Sequence, residues 1–229
     1  MRALVVAAHP DDEVLGCGGT IARLTEAGNE VTCLILGQGL AARFESAADV
    51  PAEAFASLKR DAYAAAGILG CKDVRFADLP DNRFDTVALL DVVKRVEDVQ
   101  RDVQAEVVFT HNSGDLNIDH VITARAVITA CRPVPGHTVR RLVAFEVPSS
   151  TEWSPPALHR SFAPNVFVDV ELTLARKIAA LQAYRNEIRQ FPHPRSGPIL
   201  EALARVRGAQ AGLSAAEGFE LIREVVDGL

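Results

Sequence analysis

The 229-residue chain has no run of 18 apolar residues, no excess of cations, no CxxC pair, and no internal repeat or low-complexity tract. Without such a run, no transmembrane helix of ordinary length is expected. A net charge of −6 argues against a nucleic-acid partner, whose footprint clusters Lys and Arg, and favours a small molecule. Cys17, Cys33, Cys71 and Cys131 stand singly. They suit buried thiols in a reducing cytosol rather than a disulfide framework or a cysteine-based zinc site. Only Met1-Arg2 precedes the first apolar run, so no signal peptide is read and a cytoplasmic location is expected.

The composition is that of an ordinary globular chain, 48% hydrophobic and 24% charged, and is read as one domain over 1–229. Short apolar runs at 4–8, 30–36, 74–76, 107–110, 142–145 and 166–170 read as strands. Helical periodicity marks 12–28, 52–69, 85–104, 118–131, 172–189 and 217–226. Alternation of the two predicts the α/β class: a Rossmann-like, mostly parallel sheet with helices on both faces. The regular core covers roughly 1–150, and 151–229 is a less regular C-terminal elaboration.

The chemistry concentrates where the first apolar run stops, at His9-Pro10-Asp11-Asp12-Glu13. This is a strand-to-helix turn at the carboxyl end of a buried strand, where open α/β sheets bind ligands. A helix cap needs one carboxylate and leaves a histidine beside two of them unexplained. In a doubly wound sheet the first and fourth strands are neighbours, so the loop 111–117 and the segment Asn117-Ile118-Asp119-His120 reach the same crevice. His9, Asp12 and His120 then supply two imidazoles and one carboxylate, a common catalytic zinc shell with one position open to water. His111, at the end of the fourth strand, is a competing ligand. Asn117 or Asp119 is the expected helix cap.

The turn Ala8-His9-Pro10-Asp11-Asp12-Glu13, the following Gly16-Cys17-Gly18-Gly19-Thr20 and the later Asp119-His120 together resemble the PIG-L (LmbE-like) family of zinc-dependent N-deacetylases. The resemblance covers roughly 1–150. It implies one Zn2+ per chain on His9, Asp12 and His120, Asp11 as general base, and an N-acetylated amino sugar or sugar conjugate as substrate. The family often carries a histidine where this chain has Asn117, and an amide can donate to an oxyanion but cannot deliver a proton. His193, in Pro192-His193-Pro194-Arg195-Ser196, is the candidate for that proton or for a substrate contact, and its loop is suited to entering a neighbouring subunit of a homo-oligomer. Asp119 is read as a carboxylate that orients a neighbouring catalytic group. Arg43, Arg60, Asp81 and Arg195 are candidate sugar or phosphate contacts.

Two other readings compete. His9-Pro10-Asp11 with His120 also satisfies a non-haem iron facial triad, although that triad is typical of antiparallel double-stranded β-helices. Gly16-Cys17-Gly18-Gly19 suggests a non-catalytic nucleotide-binding module, but the last glycine of GxGxxG falls at Ile21 and the preceding carboxylates would repel a pyrophosphate.

Overall fold

In the computed structural model, which describes residues 1–40, 49–158 and 160–227, the apolar runs join into a seven-stranded sheet. The elements are β1 (Arg2–Ala7), α1 (Asp12–Glu26), β2 (Glu30–Gly37), α2 (Ala52–Leu69), β3 (Asp73–Leu79), α3 (Leu89–Val103), β4 (Val107–His111), α4 (Ile118–Ala130), β5 (Arg141–Phe145), β6 (Val166–Asp169), α5 (Leu174–Ala183), α6 (Gly197–Ala211) and β7 (Ala216–Glu224). Short 3₁₀ turns occupy Phe84–Thr86 and Thr151–Trp153.

The strand order is β3-β2-β1-β4-β5-β7-β6. The first five strands pair in parallel, and β7 runs antiparallel between β5 and β6. β1 is apolar on both faces because both are covered. Ala3, Val5 and Ala7 meet Leu15 and Ile21 of α1, Leu58 of α2 and Leu181 of α5 in one cluster. Leu4 and Val6 meet Val92, Val93 and Val96 of α3 and Val127 of α4 in the other. β1 and β4 are neighbours in register, so the turns that follow them share one crevice, as the doubly wound order requires.

Glycines shape α1. It breaks at Cys17 (φ −147°, ψ 26°), where a Cβ on Gly16 would lie 2.3 Å from the Phe145 ring and one on Gly19 2.8 Å from Val170. The break frees the N–H groups of Gly19 and Thr20, and both donate to the Glu217 carboxylate of β7 (2.9 and 2.7 Å). Lys177 of α5 completes this buried cluster, 2.6 Å from Glu217. The donors that a nucleotide phosphate would use are thus taken by a carboxylate, and the Gly-rich stretch serves close packing.

Three expectations are corrected. The helix expected at 217–226 is strand β7. Phe219, Leu221, Ile222, Val225 and Val226 fit a short helical face, but the gap between β5 and β6 demands a strand, and period alone does not decide short apolar segments. α6 was not expected, since its buried face is only Leu200, Ala204 and Gly208, an i, i+4, i+8 stripe with two small residues. α3 and α5 are shorter than 85–104 and 172–189, the first because Phe84–Thr86 forms its own 3₁₀ turn. Among the described residues no helix is long and apolar enough to cross a membrane.

Candidate active site

β1 ends at a turn whose backbone is unusual. Asp11 has φ 103° and its side chain does not cap α1. A non-glycine residue in this region costs on the order of 1–3 kcal/mol and persists where surroundings hold it. Here Glu13 Oε2 accepts the Asp11 N–H (3.1 Å), Tyr184 donates its hydroxyl to Glu13 Oε1 (2.5 Å), and the Asp11 carbonyl starts the helix by accepting from Val14 and Leu15. The carboxylate is thereby turned away from the cap position. Arg195 meets it instead, Nη1 donating to Oδ2 at 2.7 Å. Burial lifts the Asp11 carboxyl well above the ordinary carboxylate range against the opposing pull of Arg195.

His9, Asp12 and His120 converge at the mouth of the β1–β4 crevice, all three buried. His9 Nδ1 lies 3.4 Å and His120 Nε2 3.2 Å from Asp12 Oδ2. Ligands held ~2.1 Å from a tetrahedral ion stand about 3.4 Å apart, so these separations fit a zinc-sized cation. Asp12 Oδ1 is buried without a hydrogen-bond partner, a deficit that a cation would fill. In the metal-free protein protons do part of that work. Burial opposes the charge on His9 and His120, yet Asp119, Asp12 and Asp81 raise His9 to about 10, and Asp12 with Asp115 raises His120 to about 9.

Each imidazole has a carboxylate behind it, the arrangement that fixes a metal-binding ring. His9 Nε2 is 2.9 Å from Asp119 Oδ2, whose other oxygen accepts the Phe84 N–H (2.9 Å). His120 Nδ1 is 3.1 Å from Asp115 Oδ1. Asp115 had not been singled out from the sequence. Burial opposes its ionisation, but His120, Ser150 and Thr151 hold it at about 2. Its signal was a loop carboxylate five residues before His120, whereas its partners Ser150 and Thr151 follow β5 and leave no local trace. His111 Nε2 accepts the Ala8 N–H at 2.8 Å, so that lone pair is used by the backbone, and burial lowers the ring to about 3.

The remaining candidates divide. Asn117 is the helix cap of α4, Oδ1 accepting the Asp119 N–H (2.9 Å), and its Nδ2 donates to Asn82 (3.1 Å). Asp81 reaches His9, 3.3 Å from Nε2. Arg195 contacts Asp11, with Glu187 at 3.5 Å on the same nitrogen. His193 lies two residues before Arg195, accepts its N–H (3.1 Å), and stands edge-on to Trp153 at 6.1 Å. Burial, then Arg195 and Arg189, lower its pKa. Arg60 pairs with Glu53 (2.6 Å) on the exposed face of α2. Arg43 lies outside the described residues.

The same turn, the His9, Asp12 and His120 cluster and the neighbouring carboxylate lie within residues 4–131, which match the PIG-L family, described as GlcNAc-PI de-N-acetylase. The chain belongs to the PIG-L family. Among its relatives, the uncharacterized deacetylase YaiS of Escherichia coli K12 is 30% identical over 189 residues, covering 80% of this chain and 90% of that protein. The 4-oxalmesaconate hydratase of Pseudomonas putida is 33% identical over 201 residues, 81% of this chain and 73% of that protein. The crystal structure of GalB, the 4-carboxy-2-hydroxymuconate hydratase of Pseudomonas putida KT2440, superposes with a TM-score of 0.78 at 27% identity, covering 100% of this chain and 99% of that one. PIG-L membership thus accounts for the fold and turn, while relatives include several deacetylases and a hydratase.

Proposed function

We propose that this PIG-L protein is a zinc-dependent hydrolase that removes the acetyl group from an N-acetylated amino sugar or glycoconjugate, releasing acetate and a free amine. The observation that carries the reading is the buried His9, Asp12 and His120 set, whose two imidazoles lie 3.4 and 3.2 Å from Asp12 Oδ2, with the Asp11 carboxylate turned out of the cap position beside it. A zinc ion held by those three residues would supply Lewis acidity toward the amide carbonyl and lower the pKa of bound water to about 7.

Asp11 takes the proton from the attacking water and returns it to the departing amine. Both transfers are assigned to Asp11, the carboxylate next to Asp12 in the turn, while His193, which accepts the Arg195 N–H and stands edge-on to Trp153, is left as a substrate contact. Asn117 donates to the oxyanion after releasing Asn82. Asp119 and Asp115 orient the two imidazoles. Asp81, beside His9, accepts a sugar hydroxyl, and Arg195 borders the bound substrate while it holds Asp11. Arg43 and Arg60 remain candidate contacts for a longer conjugate. The four buried free thiols fit a reducing, cytoplasmic setting, and the 191–197 loop fits a homo-oligomer in which it borders a neighbouring cleft.

A second reading is favoured by the 33% identity to a hydratase: the same ligands and base would add water across a carbon–carbon double bond of an unsaturated carboxylate. Mass spectrometry of N-acetylated sugars, sugar nucleotides and pseudo-saccharides incubated with zinc-loaded protein separates the two. Exchange of an acetyl group for hydrogen, with acetate released, supports the hydrolase. Inertness of every N-acetyl compound together with gain of water by unsaturated carboxylates would transfer the assignment.

A further inference from the structure

We propose that three consecutive hydroxyl residues, Ser149, Ser150 and Thr151, are positioning residues that set the two halves of the site through separate arms. The chain leaves β5 and folds back at Val147, whose carbonyl accepts the N–H groups of Ser150 (3.1 Å) and Thr151 (2.9 Å). Ser149 is held at φ 74°, and Glu152 accepts its N–H at 2.7 Å. This tight turn points consecutive hydroxyls in different directions.

The first arm runs to the metal ligand. Thr151 Oγ1 accepts from Val147 N–H (2.8 Å) and donates to Asp115 Oδ2 (2.6 Å), while Ser150 Oγ donates to Asp115 Oδ1. Asp115 is 1% exposed, so no bulk water can replace those donors, and it faces His120 Nδ1. The second arm runs to the base. Ser149 Oγ accepts from Arg195 Nε (2.7 Å), and Arg195 Nη1 donates to Asp11 Oδ2 (2.7 Å). Each hydroxyl acts through a charged residue, and the arms join at the turn, where Glu152 accepts the N–H groups of Ser149 (2.7 Å) and Ser150 (3.3 Å). Partners behind a metal ligand typically change metal affinity 10–100-fold, whereas small displacements of a reacting group lower turnover without touching the metal.

The base arm rests on the hydrolase reading. The metal arm does not, because zinc alone is its probe. Zinc affinity is measured by competition with a chromophoric chelator, and kcat and KM are measured at saturating zinc. Thr151→Val is expected to weaken zinc binding about 10-fold or more, and Thr151→Ser, which keeps the hydroxyl, to restore it. Ser149→Ala is expected to leave zinc affinity within twofold while kcat falls about 10-fold. A merely structural turn would lower thermal stability in all three variants without this split. Parental zinc affinity in Thr151→Val would overturn the metal arm. Equal loss of zinc affinity in Ser149→Ala would overturn the separation of arms. A parent that binds zinc, with variants that respond as expected in affinity but with no acetate release from any substrate, would sink the hydrolase reading and leave the metal arm standing.

Discussion

Replacing Lys177 with Met isolates the device that holds the broken helix over the site. Lys177 Nζ lies 2.6 Å from Glu217 Oε1 and 2.8 Å from the Leu15 carbonyl, and the two charged side chains are only 7% and 4% exposed. Methionine keeps the stem volume and removes the cation, leaving Glu217 buried with donors from Gly19 and Thr20 alone. Removing one partner of a buried pair costs about 3–5 kcal/mol, because the other charge stays desolvated. For 229 residues, an unfolding entropy of about 2.1 cal/mol/K per residue makes 1 kcal/mol worth about 2 °C, so Tm should fall by about 6–10 °C. Adding Glu217→Gln to Lys177→Met removes the stranded charge but keeps an acceptor for the N–H groups, and should recover at least half of the loss. Scanning calorimetry with zinc held constant is the assay. Well below Tm, kcat should stay near the parent's, since the pair supports α1 beyond the turn. A Tm drop under 2 °C, or a double variant worse than Lys177→Met, would refute the reasoning.

Asp11→Asn should keep parental zinc content and lose about 10²–10⁴-fold in kcat, the usual weight of a general base, and parental turnover would remove Asp11 from that role. Asn117→Asp should keep the α4 cap and its Tm but lose the oxyanion donor, lowering kcat about 10²–10³-fold; Asn117→Ala should in addition cost about 0.5–2 kcal/mol of stability through the lost cap. In chelator-treated protein His9 at about 10 and His120 at about 9 titrate above the ordinary imidazole value of 6.5. Their stabilisation is therefore complete below pH 6.5 and is lost as pH rises through 9–10. Tm of the metal-free protein should fall over that window and that of the zinc-loaded protein should fall less, while parallel curves would contradict the assignment.

The sheet was legible because β1, β2, β4 and β5 are short apolar runs between well-marked helices, and α2 matched its expected bounds of 52–69. The convergence of His9, Asp12 and His120 was legible because all three sit within three residues of a strand-to-helix turn, where chain order and doubly wound topology bring them together. What escaped notice was non-local. β7 reads as a helix until the space between β5 and β6 is known, and α6 hides behind alanine and glycine. Asp115 gains its meaning only from Ser150 and Thr151, which β4–β5 pairing carries to it across 35 and 36 residues. Arg195 was read as a substrate contact, and nothing in its neighbourhood in sequence reveals that it reaches Asp11, 184 residues earlier.

The central claim is that His9, Asp12 and His120 bind the metal on which deacetylation depends, and zinc titration of chelator-treated protein tests it most directly. Acetate release from an N-acetylated sugar substrate should rise from baseline and saturate at about one zinc per chain, and the His9→Ala/His120→Ala double variant should neither bind the ion nor recover. Full turnover in the chelated protein, or undiminished zinc binding by the double variant, would contradict the account.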